Sequence, residues 1–306
     1  MYTSNSSIRS WLGCLILFCI SMSMAQAQTN STPNELLQKI QDRLAAEKGE
    51  FAVAFRDLQT GEQLLLNEKT IFHAASTMKT PVMIEVFKQA AAGKLSLQDS
   101  ITVKNAFKSI VDGSPYQLNP ADDSELELYK KTGTKVTLSE LVYQMIIQSS
   151  NLATNMVIEM VDGKKVTQTM RDLGANDIQV LRGVEDGKAF AKGLNNVVTA
   201  YDLMLIYTAM AEGRLVSREA CDQMIRILLD QQHNTIIPAH LPKEVKVAHK
   251  TGSITGVHHD SGIVYLPDGK KYVLVILSRK LEDSDAATEA MARVSEMIWR
   301  SVAQKK

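Results

Sequence analysis

The sequence predicts an α/β protein with a helical domain inserted into it. Two observations carry this. Apolar runs with strand character, bounded by turn residues, cluster near the two ends of the chain. Between them the pattern is mostly helical, with capping boxes and amphipathic runs. The α/β part is expected at about 28–92 and 233–306, and the helical part at about 93–232.

The first stretch stands apart from the fold. Arg9 precedes an apolar run from Trp11 to Met24, and Ala25-Gln26-Ala27 follows as a small-residue cleavage site. That layout predicts a secretory signal peptide over residues 1–27, leaving 28–306 as the folded domain. As a helix the run would span about 21 Å, too short for a bilayer core of about 30 Å. Cys14 and Cys19 lie inside the run without a lipoprotein-type context, so cleavage is preferred to a lipid anchor. A secreted or periplasmic location is expected, with no membrane association after cleavage.

Thr32-Pro33-Asn34-Glu35 reads as a helix start: a capping threonine, proline at the first helical position and glutamate at the third. That helix should run to about Glu47. "FAVAFRD" and "EQLLLNE" then read as two strands joined through Thr60-Gly61. In the middle, Thr137-Leu138-Ser139-Glu140 is another capping box, opening a helix to about Gln148. Thr199–Glu212 and Arg218–Gln232 are amphipathic runs. Ser109–Lys135, rich in turn and acidic residues, reads as a long surface excursion. Near the end "EVKVAHKTGS" reads as a strand, and "SGIVYLP" and "KKYVLVILS" flank Asp268-Gly269, a strong hairpin signal. A helix from about Asp285 to Val302 closes the chain.

Three short motifs occur in order. Ser76-Thr77-Met78-Lys79 is the first, and no other serine has a lysine three residues on. Such a pair arises about once by chance in a chain of this length, so its meaning rests on the other two. These are Ser149-Ser150-Asn151 and Lys250-Thr251-Gly252. A serine hydroxyl is a poor nucleophile until a base takes its proton. Residues three apart on a helix share a face, so Lys79 can reach Ser76. Lysine serves as a base only if burial or a nearby cation lowers its pKa, and Lys250 could be that cation. Pro81 requires either a regular helix starting near Thr80, with Ser76 in a tighter turn before it, or a kink. Ser149 and Asn151 are expected on the loop after the helix that ends near Gln148. Gly252 would permit close approach of a substrate backbone along the strand.

With these motifs the sequence resembles the penicillin-recognising serine enzymes, and among them the class A β-lactamases, whose signature they form. The resemblance covers nearly the whole mature chain. It implies a five-stranded antiparallel sheet with flanking terminal helices, beside an all-helical domain, with the active site between. It implies Ser76 as nucleophile, Lys79 as its base and Ser149 as proton relay to the leaving nitrogen. Asn151, Lys250, Thr251, Gly252 and Ser253 would bind substrate, and the N–H groups of Ser76 and Ser253 would form an oxyanion hole. Class A enzymes also carry a glutamate on an omega loop that activates water. In "LRGVEDGKAFAKGLNNVV", Arg182, Glu185 and Asn196 fall close to the family's arginine, glutamate and loop-closing aspartate. Glu185 is thereby the candidate deacylating base, with Asp186 next in line. The chain departs from the family in four places. Ser150 replaces the usual aspartate, one residue is inserted between Arg182 and Glu185, Ala189 replaces an asparagine, and "HHDSGIV" lacks an arginine on the strand after Lys250.

The whole chain has formal net charge +0, and the leader carries only Arg9, so nothing favours a nucleic-acid partner. Cys221 is the only cysteine after residue 27, which precludes an intramolecular disulfide and fits a buried helix residue. His258, His259 and Asp260 lack further ligands at suitable spacing, so no metal and no cofactor is expected, and they read as a hairpin-end cluster. A monomer acting on a small β-lactam is expected. The alternatives are a penicillin-binding-type peptidase acting on D-Ala-D-Ala ends, an esterase-like relative, and a non-catalytic lactam- or peptidoglycan-binding module.

Overall fold

The computed structural model describes residues 1–2 and 33–305. The predicted leader's apolar run and cleavage site lie outside the described residues, as does the capping Thr32. Helix α1 (Pro33–Ala45) leads into strands β1 (Glu50–Asp57) and β2 (Gln63–Leu66). Their turn is held by Asp57, whose Oδ1 accepts the N–H groups of Gln59 (2.8 Å) and Thr60 (3.1 Å), while Gly61 takes φ 76°. The helices that follow are α2 (Lys79–Ala91), α3 (Leu138–Ile147), α4 (Asn151–Val161), α5 (Gly163–Asp172), α6 (Ala200–Ala211) and α7 (Arg218–Leu229). Strands β3 (Lys246–Ile254), β4 (Val257–Tyr265) and β5 (Lys271–Arg279) then lead to α8 (Ser284–Ala303).

The five strands form one antiparallel sheet in the order β2-β1-β5-β4-β3. β1 pairs with β5 from Glu50↔Arg279 to Asp57↔Tyr272, so strands from opposite ends of the chain close the sheet at its centre. Strand alternation decides what each face meets. Val53, Phe55, Leu274 and Ile276 pack with Leu36, Ile40 and Leu44 of α1 and Met291, Val294 and Ile298 of α8. Ala52, Ala54, Val273, Val275 and Leu277 point the other way, into the core built by α2 and the central helices. Each large apolar side chain buried this way stabilises the fold by about 1.5–3 kcal/mol. Helix α2 is buried along nearly its whole length, from Lys79 to Phe87 and again at Gln89. Cys221 is wholly buried in α7. No helix among the described residues is long and apolar enough to cross a membrane.

The structure differs from the sequence reading in the middle of the chain. Three two-stranded ribbons occur there or reach into it: Phe72–His73 with Val197–Val198, Ser100–Thr102 with Lys135–Thr137, and Phe107–Lys108 with Pro115–Tyr116. Strands of two or three residues are too short to show a period of two. The 109–135 segment is also more than a surface excursion. Ser109, Leu118 and Leu128 are buried, and the segment folds back to the cavity described next.

Candidate active site

Ser76 lies in a 3₁₀ turn, Ala75–Met78, that feeds directly into α2 at Lys79. Of the two geometries left open by Pro81, the tighter preceding turn is the one present. Proline occupies the first turn of α2, where its missing N–H leaves no helical bond unmade. Ala75 is held at φ 44°, and its N–H donates to Nδ1 of His73 at 3.1 Å.

Strand β3 runs past this turn. A side chain at Gly252 would place its Cβ 3.0 Å from the Ser76 nitrogen and 3.1 Å from that of Thr77. Glycine at 252 therefore allows close approach to the protein's own Ser76 turn, in addition to lining the cavity. β3 is an edge strand, so part of its backbone is left for a ligand.

Ser149 sits between α3 and α4 at φ 58°, a left-handed conformation unusual for serine. Asn151 is not on the loop, as expected, but is the first residue of α4, capped by Ser150, whose Oγ accepts the Ala153 N–H at 3.2 Å. The kink at Ser149 lets residues two apart converge on one lysine. Lys79 Nζ donates to Ser149 O (2.7 Å), Ser149 Oγ (3.1 Å) and Asn151 Oδ1 (3.0 Å). These three bonds use its three protons, and none goes to Ser76. Lys250 Nζ donates to Ser149 Oγ at 3.1 Å and to Thr251 O at 2.9 Å, so one hydroxyl joins both lysines.

Both lysines are wholly buried. Burial pulls Lys79 down to about 7, against the charges of Asp123 and Glu185, which favour its protonated form. Lys250 is also pushed well down, by burial first and then by repulsion from Lys79, with Asp260 opposing. The repulsion between the two lysines is mutual, while the two carboxylates oppose the fall at Lys79.

Glu185 lies on the 182–196 loop at φ 60° and accepts a 2.8 Å bond from Asn151 Nδ2. The Asn151 amide therefore links Lys79 on one side to Glu185 on the other. Burial raises the Glu185 pKa, opposed by that amide bond, with Asp123 and Asp122 adding to the rise. The loop's neck is closed without an ion pair. Asn196 Oδ1 accepts the N–H groups of Leu181 (2.8 Å) and Arg182 (3.2 Å), its Nδ2 donates to Arg182 O (2.9 Å), and Arg182 Nε donates to Leu194 O (2.9 Å). Asp186 is buried and committed to structure: it accepts from Ser109 Oγ, Ile110 N and Ala189 N at 2.9, 2.9 and 3.0 Å. Ala189 is itself buried in the short helix Gly187–Ala191.

Ser76, Ser149, Asn151, Glu185, Thr251, Gly252 and Ser253 all line one cavity of about 1040 Å³, with Lys79 and Lys250 beneath its floor. Every candidate site residue from the sequence is thus at one place. Sequence reasoning missed two residues. Asn155 holds the loop from α4: its Oδ1 accepts Val184 N (2.6 Å) and its Nδ2 donates to Val184 O (3.0 Å). Asp123 holds the first turn of α4. Asn155 carries no local signal, and Asp123 is one of several acidic residues in a turn-rich stretch. Of the hairpin-end cluster, His258 and His259 reach the cavity wall. His258 Nδ1 pairs with Thr288 Oγ1 (2.7 Å), His259 Nε2 with His73 O (2.9 Å), and Asp260 with His249 (2.8 Å). Burial holds His259 down at about 4. Among the described residues no group of three or more His, Cys, Asp or Glu is placed to hold a metal ion.

Residues 35–302 match the model of the beta-lactamase enzyme family. The chain is 22% identical to the β-lactamase VEB-1 of Pseudomonas aeruginosa, over 93% of this chain and 96% of that one. It is 26% identical to a β-lactamase of Rhodobacter capsulatus, over 92% of each. Among solved structures, a β-lactamase from Sphaerobacter thermophilus superposes with TM-score 0.75 at 28% identity, over 88% of this chain and 98% of that one. A variant of PBP-A in its acyl-enzyme complex with penicillin G gives 0.76 at 26% identity, over 89% and 97%. A family match spanning nearly all of the described chain, on a fold that gathers all three serine-enzyme motifs in one cavity, places this chain in the β-lactamase enzyme family, among its serine enzymes of the class A type.

Proposed function

We propose that the protein is an exported serine β-lactamase that works through a Ser76 acyl-enzyme. In acylation, neutral Lys79 takes the proton of Ser76, whose Oγ adds to the lactam carbonyl. The C–N bond then breaks, and the nitrogen leaves with a proton from Ser149, which is recharged by the lysines bonded to it. N–H groups of Ser76 and Ser253 would receive the carbonyl oxygen. Thr251, Ser253 and Lys250 would receive the substrate carboxylate. In deacylation, Glu185 takes a proton from water, the hydroxyl adds to the ester carbonyl, and Ser76 leaves and regains its proton. The observation that carries the reading is the Lys79–Asn151–Glu185 chain, at 3.0 and 2.8 Å, which links the groups proposed for the two half-reactions.

Turnover of a chromogenic cephalosporin by the purified mature chain tests it. The likeness to PBP-A favours a second reading, a peptidase of the penicillin-binding type. That enzyme would be acylated once by the cephalosporin and then stall, whereas the proposed one would turn over repeatedly.

The acylation base sets a pH expectation. Lys79 is protonated below about pH 7 and has no lone pair to offer; above it the amine is neutral. The pre-steady-state acylation rate should therefore climb as pH rises through about 7. A rate already flat from about pH 5 upward would remove Lys79 from that role.

The division into a leader at 1–27 and a catalytic domain at 28–306, with α/β and helical parts, forms part of the same proposal. N-terminal sequencing of secreted protein should begin at or near Gln28. Uncleaved protein confined to the cytoplasm would contradict export.

A further inference from the structure

The middle position of the Ser149-Ser150-Asn151 motif carries no charge: it is a serine, buried and committed to capping α4. A carboxylate reaches the same turn from elsewhere. Asp123, 28 residues earlier in the chain, accepts the Asn151 N–H at 3.0 Å on Oδ1 and 2.9 Å on Oδ2. Its Oδ2 also accepts Leu152 N (2.9 Å) and the Tyr129 hydroxyl (2.9 Å), and its Oδ1 accepts Glu125 N (3.2 Å). The N–H groups at the start of α4 have no helical acceptor, so an anion there is doubly favoured, by hydrogen bonds and by the helix dipole.

We propose that Asp123 is a positioning residue for the reaction: from a separate segment it supplies the carboxylate that Ser150 lacks, and it fixes the first turn of α4 so that the Asn151 amide stays between Lys79 and Glu185. The geometry is direct. The backbone nitrogen that Asp123 holds belongs to the residue whose side chain makes both links, at 3.0 and 2.8 Å. The same carboxylate adds negative field at Lys79 and at Glu185. Asp123 acts through Asn151, and the cavity wall beside it is formed by its neighbours Asp122 and Ser124.

This inference rests on the proposed lactamase chemistry, so its test carries a second readout that does not. Purified mature wild type, Asp123→Ala and Asp123→Asn are compared on a chromogenic cephalosporin. Hydrogen exchange at the Asn151 and Leu152 amides is followed by NMR on the same proteins. Loss of positioning by about an ångström costs roughly 10²-fold in rate. Asp123→Ala should lose about that much in kcat, with KM changed far less. Asp123→Asn keeps an oxygen for the two N–H groups and should recover about tenfold or more of that loss. The two amides should exchange faster in Asp123→Ala than in wild type, with slower exchange restored in Asp123→Asn. Unchanged kcat in Asp123→Ala, or unchanged exchange at both amides, would overturn the inference. A wild type with no turnover would instead defeat the lactamase reading, and amide exchange alone would then decide the role of Asp123.

Discussion

Ser76→Ala protein mixed with penicillin should show no mass adduct, while wild type gains one that peptide mapping places on Ser76. Turnover should fall by roughly 10⁶-fold, the scale set by deleting a serine hydrolase nucleophile. The expectation follows from the floor of the cavity. Ser149 is also a serine there, but its hydroxyl accepts from both Lys79 and Lys250 and is held by two lysine donors. Ser76 is half-buried at the cavity beside Gly252, and no lysine donates to its hydroxyl. The fold should survive the change, because the 3₁₀ turn is held by Ala75, Thr77 and Met78, which are buried. An undiminished adduct on the Ser76→Ala protein would move the nucleophile elsewhere and undo the acyl-enzyme reading.

Glu185→Gln should separate the two half-reactions. Acylation needs Ser76, Lys79 and Ser149, and all three remain. The ester then waits for water that no base activates. General-base assistance is worth about 10²–10⁴-fold, so steady-state turnover should fall by that factor while acyl-enzyme accumulates to one equivalent and is seen by mass. The glutamine can still accept from Asn151 Nδ2, which keeps the loop in place and isolates the loss of the base. Asp186 offers no ready substitute, because Ser109, Ile110 and Ala189 hold its carboxylate and keep its pKa low despite burial. Ala189, buried in the loop's short helix, offers no polar side chain to orient the water, so wild-type turnover should be modest. Hydrolysis at the wild-type rate by Glu185→Gln would sink the assignment.

What the sequence showed and what it hid divide along one line. Features fixed by neighbouring residues were legible. Asp268-Gly269 marked the β4–β5 hairpin, the Thr137 box marked α3, and Thr137 Oγ1 does accept the Glu140 N–H at 3.1 Å. Lys250-Thr251-Gly252 was correctly placed on a strand, and Pro81 narrowed Ser76 to two geometries, of which the turn before the helix is present. Features made by distant partners were not legible. Nothing local says that Gly252 must yield to the Ser76 turn, that Asn155 will hold Val184, or that Asp186 rather than Glu185 will anchor the loop. Asn151 was misplaced onto a loop because a left-handed residue, Ser149, ends one helix and a capping residue, Ser150, starts the next with nothing between. Asp123 was hidden among the other acidic residues of its segment, since charge pattern alone cannot say which carboxylate a helix end will claim.

Three left-handed backbone positions surround the cavity: Ala75, Ser149 and Glu185, at φ 44°, 58° and 60°. Each costs about 1–2 kcal/mol for a residue with a side chain. At most sites a lineage can shed such a cost by drifting to glycine. Here two of the three exits are closed, because glycine at 149 or 185 would erase the hydroxyl or the carboxylate along with the strain. The chain must therefore recover that deficit in places that touch no substrate, such as the apolar layers on either face of the sheet. Tolerance to mutation in those layers should be correspondingly narrow, and a more heat-resistant descendant would be expected to change there first and leave the three strained positions as they are.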